Sequence, residues 1–240
     1  MAAKIWAHKG ASAYAPENTI PAFKKAIEMG ADGIELDVHM SKDGKLVVIH
    51  DAKVDRTSNG TGYVFDMTCQ ELKKLDFSNG MEEFKGTRIP TLREVYGLLK
   101  DTDLKINVEI KSEEKVYIGI WKELIKLERE MGMQGRIIYS SFNHYVLMSL
   151  LETDPDAEIG VLYNCGLVDP WSYAQYVGAK AVHPYYRTLE TPGVIEECVE
   201  HGIDINAWTC DDEKIIRKLS DAGVHAIITN KPDVAKNALK

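Results

Sequence analysis

The chain has no Cys-x-x-Cys pair, and its four cysteines, at 69, 165, 198 and 210, lack metal-ligand spacing. That excludes a zinc cluster or dithiol redox motif and leaves plain thiols of a reducing compartment. No segment approaches the ~18 consecutive apolar residues of a membrane helix, and the start, MAAKIWAHKG, has no apolar stretch of signal-peptide length. A cytoplasmic protein with no membrane span is expected. Positive charge is also scarce: 29 Lys and Arg against 37 Asp and Glu leave −8 at pH 7, whereas a nucleic-acid partner calls for a basic footprint that displaces counterions. No Pro/Gly/Ser linker, charge block or low-complexity tract divides the 240 residues, so a single domain over 1–240 is expected.

What is present is ordinary globular material, 45% hydrophobic and 28% charged, arranged in a repeating pattern. Short β-rich runs fall at Lys4–His8, Gly33–Val38, Leu46–His50, Ile106–Lys111, Arg136–Phe142, Glu158–Leu162, Ala179–His183, Asp204–Trp208 and Ala226–Thr229. Amphipathic stretches lie between most of them: Ile20–Met29, Val116–Met131, Thr191–His201 and Asp212–Ala222, each stopped by a glycine. About eight strand–helix units of roughly 30 residues, joined by right-handed crossovers, predict a closed (β/α)8 barrel, with an open doubly wound sheet as the alternative. The segment Asp51–Pro90, rich in turn residues around a weak helix at Thr68–Leu75, is expected to be a long loop or short insertion over one mouth.

Strand alternation singles out the chemistry. In GIELDV, Ile34, Leu36 and Val38 point one way while Glu35 and Asp37 share the other face. In INVEIK, Asn107, Glu109 and Lys111 oppose Ile106, Val108 and Ile110. Ionised carboxylates inside a barrel cost several kcal/mol each unless a cation compensates them, and three oxygen donors without cysteine suit a hard divalent ion, Mg²⁺ or Ca²⁺. The same alternation also describes a half-exposed sheet with its polar face in water. His8 and His50 end predicted strands, at the end where barrel active sites lie. Imidazole accepts and donates protons near neutral pH, so the two suit acid/base cleavage of a diester. Asn18 or Thr19 caps the first helix, and Pro21 fits its first turn. Trp208 and Phe142 are placed at the mouth, where they either support the glycerol or alkyl part of a ligand or simply pack. His144, His183, His201 and His225 show no such convergence and read as structural.

These residues resemble the glycerophosphodiester phosphodiesterases. HKGASAYAPENTIPAF (His8–Phe23), GADGIELDVHMSKDGKLVVIHD (Gly30–Asp51), RTS (Arg56–Ser58), IPTLREV (Ile89–Val95), VEIK (Val108–Lys111), SSF (Ser140–Phe142), NAWT (Asn206–Thr209) and TNKPD (Thr229–Asp233) follow that family's order and spacing. The resemblance implies a (β/α)8 barrel that hydrolyses small glycerophosphodiesters to sn-glycerol 3-phosphate and an alcohol with one divalent cation. It implies that Glu35, Asp37 and Glu109 hold the ion, that His8 and His50 are the acid/base pair, and that Lys9 and Lys111 lie near the phosphate. Lys9 stands where the family usually has Arg, Asn230 where Asp is common, and Ser41 where Thr is; the last two are expected to affect local turns only. The shortness of the insertion implies an open site and a broad choice of leaving alcohol. Two other readings remain on the same barrel: a phosphodiesterase directed at lysophospholipids, which predicts an apolar rim, and a non-catalytic metal- or phosphate-binding protein.

Overall fold

Residues 2–240 are described by the computed structural model. The Ile-, Val- and Ala-rich runs form nine strands: β1 (Lys4–His8), β2 (Gly33–Met40), β3 (Leu46–Val48), β4 (Lys105–Ile110), β5 (Ile137–Ser141), β6 (Glu158–Tyr163), β7 (Ala181–Pro184), β8 (Asp204–Ala207) and β9 (Ala226–Thr229). All except β3 pair in parallel in the order β1, β2, β4, β5, β6, β7, β8, β9, and β9 returns to β1, closing the barrel. Helices α1 (Ile20–Glu28), α3 (Leu92–Leu99), α4 (Ile120–Met131), α5 (His144–Thr153), α6 (Pro170–Val177), α7 (Val194–Glu200), α8 (Glu213–Asp221) and α9 (Pro232–Ala238) each follow one barrel strand, whereas α2 (Cys69–Leu72) lies in the insertion. The fold is the (β/α)8 barrel. Among the described residues no helix is long and apolar enough to cross a membrane.

Alternation along the strands separates two apolar cores. Ile5, Ile34, Leu36, Val108, Val161 and Ile205 face outward and pack in the large cluster that also holds Phe23, Leu92 and Leu124 of the helices. Trp6, Ile138, Ala181, Ala226 and Ile228 face inward and fill the barrel. A third cluster, Val47, Ile49, Val54, Val64, Leu72, Phe77 and Ile89, belongs to the insertion and its root. The Asp51–Pro90 segment is therefore more than a surface loop: it buries an apolar centre of its own.

One strand differs from expectation. Leu46–His50 reads as a barrel-type run, but β3 ends at Val48 and pairs antiparallel with β2, Val38 opposite Val48. The cause is the turn at Ser41–Lys45, where Ser41 Oγ donates to Asp43 and accepts from Lys45 N, reversing the chain. Ser41 thus acts on its local turn, as expected. The return limb is held down by Ile49 N donating to the Asp37 carbonyl at 3.0 Å and Val48 N to that of Pro90 at 2.9 Å. His50 comes to the barrel mouth on this limb and not from the end of a barrel strand.

Packing inside the barrel is tight around His183, whose Nε2 accepts from Asn206 Nδ2 at 2.9 Å; burial pushes its pKa down to about 3. A Cβ on Gly160 would lie 2.3 Å from that ring, while one on Gly97, exposed in α3, would meet nothing within 4 Å. Gly160→Ala is expected to destabilise the fold by ~1–3 kcal/mol through overpacking. Gly97→Ala is expected to stabilise it by ~1 kcal/mol through helix propensity. Urea melts of the two variants check both signs.

Candidate active site

The barrel closes with Asp37 directly opposite Glu109 and Glu35 opposite Asn107. With alternate side chains turned inward, carboxylate oxygens of Glu35, Asp37 and Glu109 come within 4.8 Å of one another, all buried. Like charges so placed cannot all ionise freely. Burial, then the charges of Asp37 and Glu109, hold the Glu35 carboxyl well above the usual range. Burial and Asp37 likewise raise Glu109 to about 7 despite Lys111. Asp37 goes the other way: burial would raise it, but His50, Lys111, Lys9 and a hydrogen bond from Asn18 prevail. Asn18 Nδ2 donates to Asp37 Oδ2 at 2.7 Å and its Oδ1 accepts from Asp37 N at 3.2 Å, a clamp made from the left-handed region at φ 58°. Thr19 is the residue that caps α1, which leaves Asn18 free for this work. Asp37 Oδ1 is buried with no hydrogen-bond partner among the described residues. An all-oxygen set with an orphaned lone pair at its centre fits a hard divalent cation.

The two histidines are backed by different groups. His8 Nδ1 lies 2.7 Å from Asn230 Oδ1. The amide is oriented by Asp211, which accepts from Asn230 Nδ2 at 2.7 Å and from Asn230 N at 2.8 Å. A carboxylate offers no proton, so Asn230 must turn its oxygen to His8. The proton of neutral His8 therefore sits on Nδ1, and Nε2 faces the cluster with a free lone pair, 3.9 Å from Glu35 Oε2. Burial, then the charge of Lys9, push the His8 pKa down to about 4. The expectation that Asn230 would matter only to a turn is thus corrected, because its side chain sets the tautomer of His8. His50 instead donates from Nδ1 to Asp51 Oδ1 at 2.7 Å. The Arg56 hydrogen bonds draw the Asp51 carboxyl down to about 2. The His50 carbonyl accepts from His39 Nε2 at 3.1 Å, and His39 Nδ1 meets Tyr117 OH at 2.8 Å.

Lys9, at φ 55°, gives its backbone N–H to Glu35 Oε2 at 2.9 Å while its Nζ lies 3.4 Å from Glu17 Oε1. Its turn is possible because the next residue is Gly10, where a Cβ would lie 2.7 Å from the backbone of Ala22. Lys111 Nζ lies 2.6 Å from Glu109 and 3.8 Å from Asp37, with the Phe142 ring centroid 6.0 Å away. Phe142 packs edge-on to Trp208 at 5.8 Å, and the indole Nε1 donates to the His183 carbonyl at 2.8 Å. Of the sequence-predicted site residues, all except the fully buried Asp37 border one cavity of about 130 Å³. A larger recess of about 580 Å³ lies at the other end of the barrel around Lys4, Asp32 and Lys105. Two of these side chains are taken up in the ion pairs Lys105–Glu158 and Lys236–Asp32, and the end opposite the active site reads as stability. His144 bonds to Tyr173 and to the Leu162 carbonyl.

Sequence reasoning left Asp51, Arg56, Asn18, Asn230 and His39 without a role at the site. Asp51 carried a signal, a carboxylate adjoining a histidine; the others act across long sequence separations that periodicity does not reveal.

A closed barrel that gathers a buried carboxylate cluster, two unequal histidines and two lysines at one mouth fits a phosphodiester-cleaving enzyme. Residues 8–234 match the glycerophosphoryl diester phosphodiesterase family. The chain is 47% identical over 241 residues to a glycerophosphodiester phosphodiesterase of Caldanaerobacter subterraneus subsp. tengcongensis, covering 100% of this chain and 99% of that one. Among solved structures it is similar to a glycerophosphodiester phosphodiesterase of Agrobacterium tumefaciens, with TM-score 0.84 and 30% identity over 98% of this chain and 99% of that one. It is also similar to an Oleispira antarctica phosphodiesterase in complex with the product sn-glycerol-3-phosphate, with TM-score 0.88 and 27% identity over 99% and 96%. The chain belongs to the glycerophosphoryl diester phosphodiesterase family.

The low His8 pKa carries a stability signature. An unfolded histidine protonates below about pH 6.5, but folded His8 does so only near pH 4. Stability is therefore lost as pH falls through that window. Urea melts in EDTA at about pH 6.5 and about pH 4.5 should show a loss ~2 kcal/mol greater in the wild type than in His8→Asn.

Proposed function

We propose that the chain hydrolyses small glycerophosphodiesters to sn-glycerol 3-phosphate and an alcohol, with His8 as general base and His50 as general acid. The observation that carries the reading is the unequal backing of the two rings: an amide oxygen behind His8, a carboxylate behind His50. A neutral ring with Nε2 free takes the proton of the attacking hydroxyl, whether of water or of the substrate's adjacent glycerol oxygen. A ring with a carboxylate at Nδ1 has the counter-charge an imidazolium needs, and it gives its Nε2 proton to the departing alkoxide.

Glu35, Asp37 and Glu109 would hold a divalent cation, Mg²⁺ or Ca²⁺, which when bound supplies Lewis-acid polarisation of a phosphate oxygen. Lys9 and Lys111 offset the charge of the phosphodiester. As a point charge Lys9 lacks the two-pronged grip of an Arg at that position, so it holds the phosphate with less directional constraint. Phe142 and Trp208 provide an apolar wall for the carbon portion of the substrate.

The test is release of sn-glycerol 3-phosphate from glycerophosphocholine. Activity is expected with Mg²⁺ or Ca²⁺ and is expected to vanish in EDTA. His50→Ala should lower kcat by ~10²-fold or more, the usual cost of losing general acid catalysis; retention of more than about a tenth of wild-type kcat contradicts the assignment. One observation favours a second reading, hydrolysis of lysophospholipids. Ile118, Tyr145 and Val168, in or beside the loops that follow β4, β5 and β6, are strongly exposed, an apolar rim away from the insertion. Faster hydrolysis of glycerophosphocholine than of lysophosphatidylcholine supports the first reading, and the reverse order supports the second.

A further inference from the structure

Arg56 lies in the insertion, outside the cavity, yet its guanidinium is engaged along two edges. Nε and Nη2 donate to the two oxygens of Asp51 at 2.7 and 3.1 Å. Nη1 and Nη2 donate to the two oxygens of Glu17 at 2.8 and 2.7 Å. The Arg side chain is 46% exposed, and ion pairs in that setting add little to stability. What a doubly engaged fork supplies is direction.

We propose that Arg56 is a positioning residue for leaving-group protonation. By tying Asp51 to Glu17 of the β1–α1 loop, it fixes the plane of the carboxylate against which the His50 ring is set. The backbone of His50 is already held, through the Ile49 N–H bond to Asp37 and the His39 bond to its own carbonyl. The remaining freedom is rotation of the ring, and Asp51 Oδ1, shared by His50 Nδ1 and Arg56 Nη2, is what stops it. Glu17 is anchored in turn, since its Oε1 also faces Lys9 Nζ. Without Arg56 the Asp51 carboxylate turns freely and the Nε2 proton of His50 is no longer aimed at one place. The step concerned is cleavage of the phosphorus–oxygen bond to the alcohol, in which that proton passes to the departing oxygen. The proposal rests on His50 being the general acid.

Two substrates separate aiming from mere tethering of the insertion. Choline leaves as a strongly basic alkoxide and needs the proton, whereas 4-nitrophenol leaves as a stable anion and needs it little. Arg56→Gln is expected to lower kcat on glycerophosphocholine by on the order of 30-fold, a part of the ~10²-fold or more that losing the general acid itself costs. The loss on glycerophospho-4-nitrophenol should be at least about tenfold smaller, with KM for both changed by less than about threefold. Arg56→Lys, which keeps the charge but not the fork, should show the same selectivity with a smaller loss. Methylguanidinium should restore part of the choline-ester rate in Arg56→Ala. Equal losses on both esters, or none on either, overturn the proposal. His50→Ala is the internal reference: if it shows no preference between the two esters, the general-acid reading has failed. If it shows one and Arg56→Gln does not, only the role of Arg56 has failed.

Discussion

The structure is organised around a repulsion. Glu35, Asp37 and Glu109 are forced within 4.8 Å of one another by the registration of β2 on β4, and burial denies them the water that would screen their charges. Around this cluster the chain places compensating contacts: the Asn18 clamp on Asp37, the backbone N–H of Lys9 on Glu35, and Lys111 on Glu109. They are incomplete, since Glu35 and Glu109 remain difficult to ionise and one Asp37 oxygen has no hydrogen-bond partner among the described residues. A site this electrostatically unfinished suits a divalent cation. The −8 of the whole chain says little about this place, where three carboxylates face two lysines.

How much of this was legible in the sequence follows from the range of each interaction. Strand and helix runs, and the inward face of Glu35, Asp37 and Glu109, are local periodicities, and they read directly. The reversal that makes β3 antiparallel depends on a turn at Ser41–Lys45, and a run such as LVVIH carries no mark of the direction in which it pairs. Asn230 reaches His8 across 222 residues, and Arg56 reaches Glu17 across 39. Contacts of that kind are made by closure of the barrel and leave no periodic trace. The cap at the start of α1 shows the same limit on a small scale: either Asn18 or Thr19 satisfies the rule for a cap, and only the position of Asp37 decides between them.

The unlike partners of the two histidines have separate origins in the fold. His8 ends β1, and its backing comes from the loop after β9, the strand that β1 must meet for the barrel to close. An imidazole whose tautomer is set at that seam is tied to the integrity of the whole ring of strands. His50 owes nothing to the seam and depends on the hairpin from β2 and on the insertion's side chains.

The insertion has its own apolar centre, from Val47 to Ile89, and His50 is mounted at its root. The two histidines therefore sit on separately packed bodies, His8 on the barrel and His50 on the appendage. On the proposed role of His50, a change in the segment between His50 and Pro90 would alter which alcohols depart, and how readily, without disturbing the carboxylate floor of the barrel.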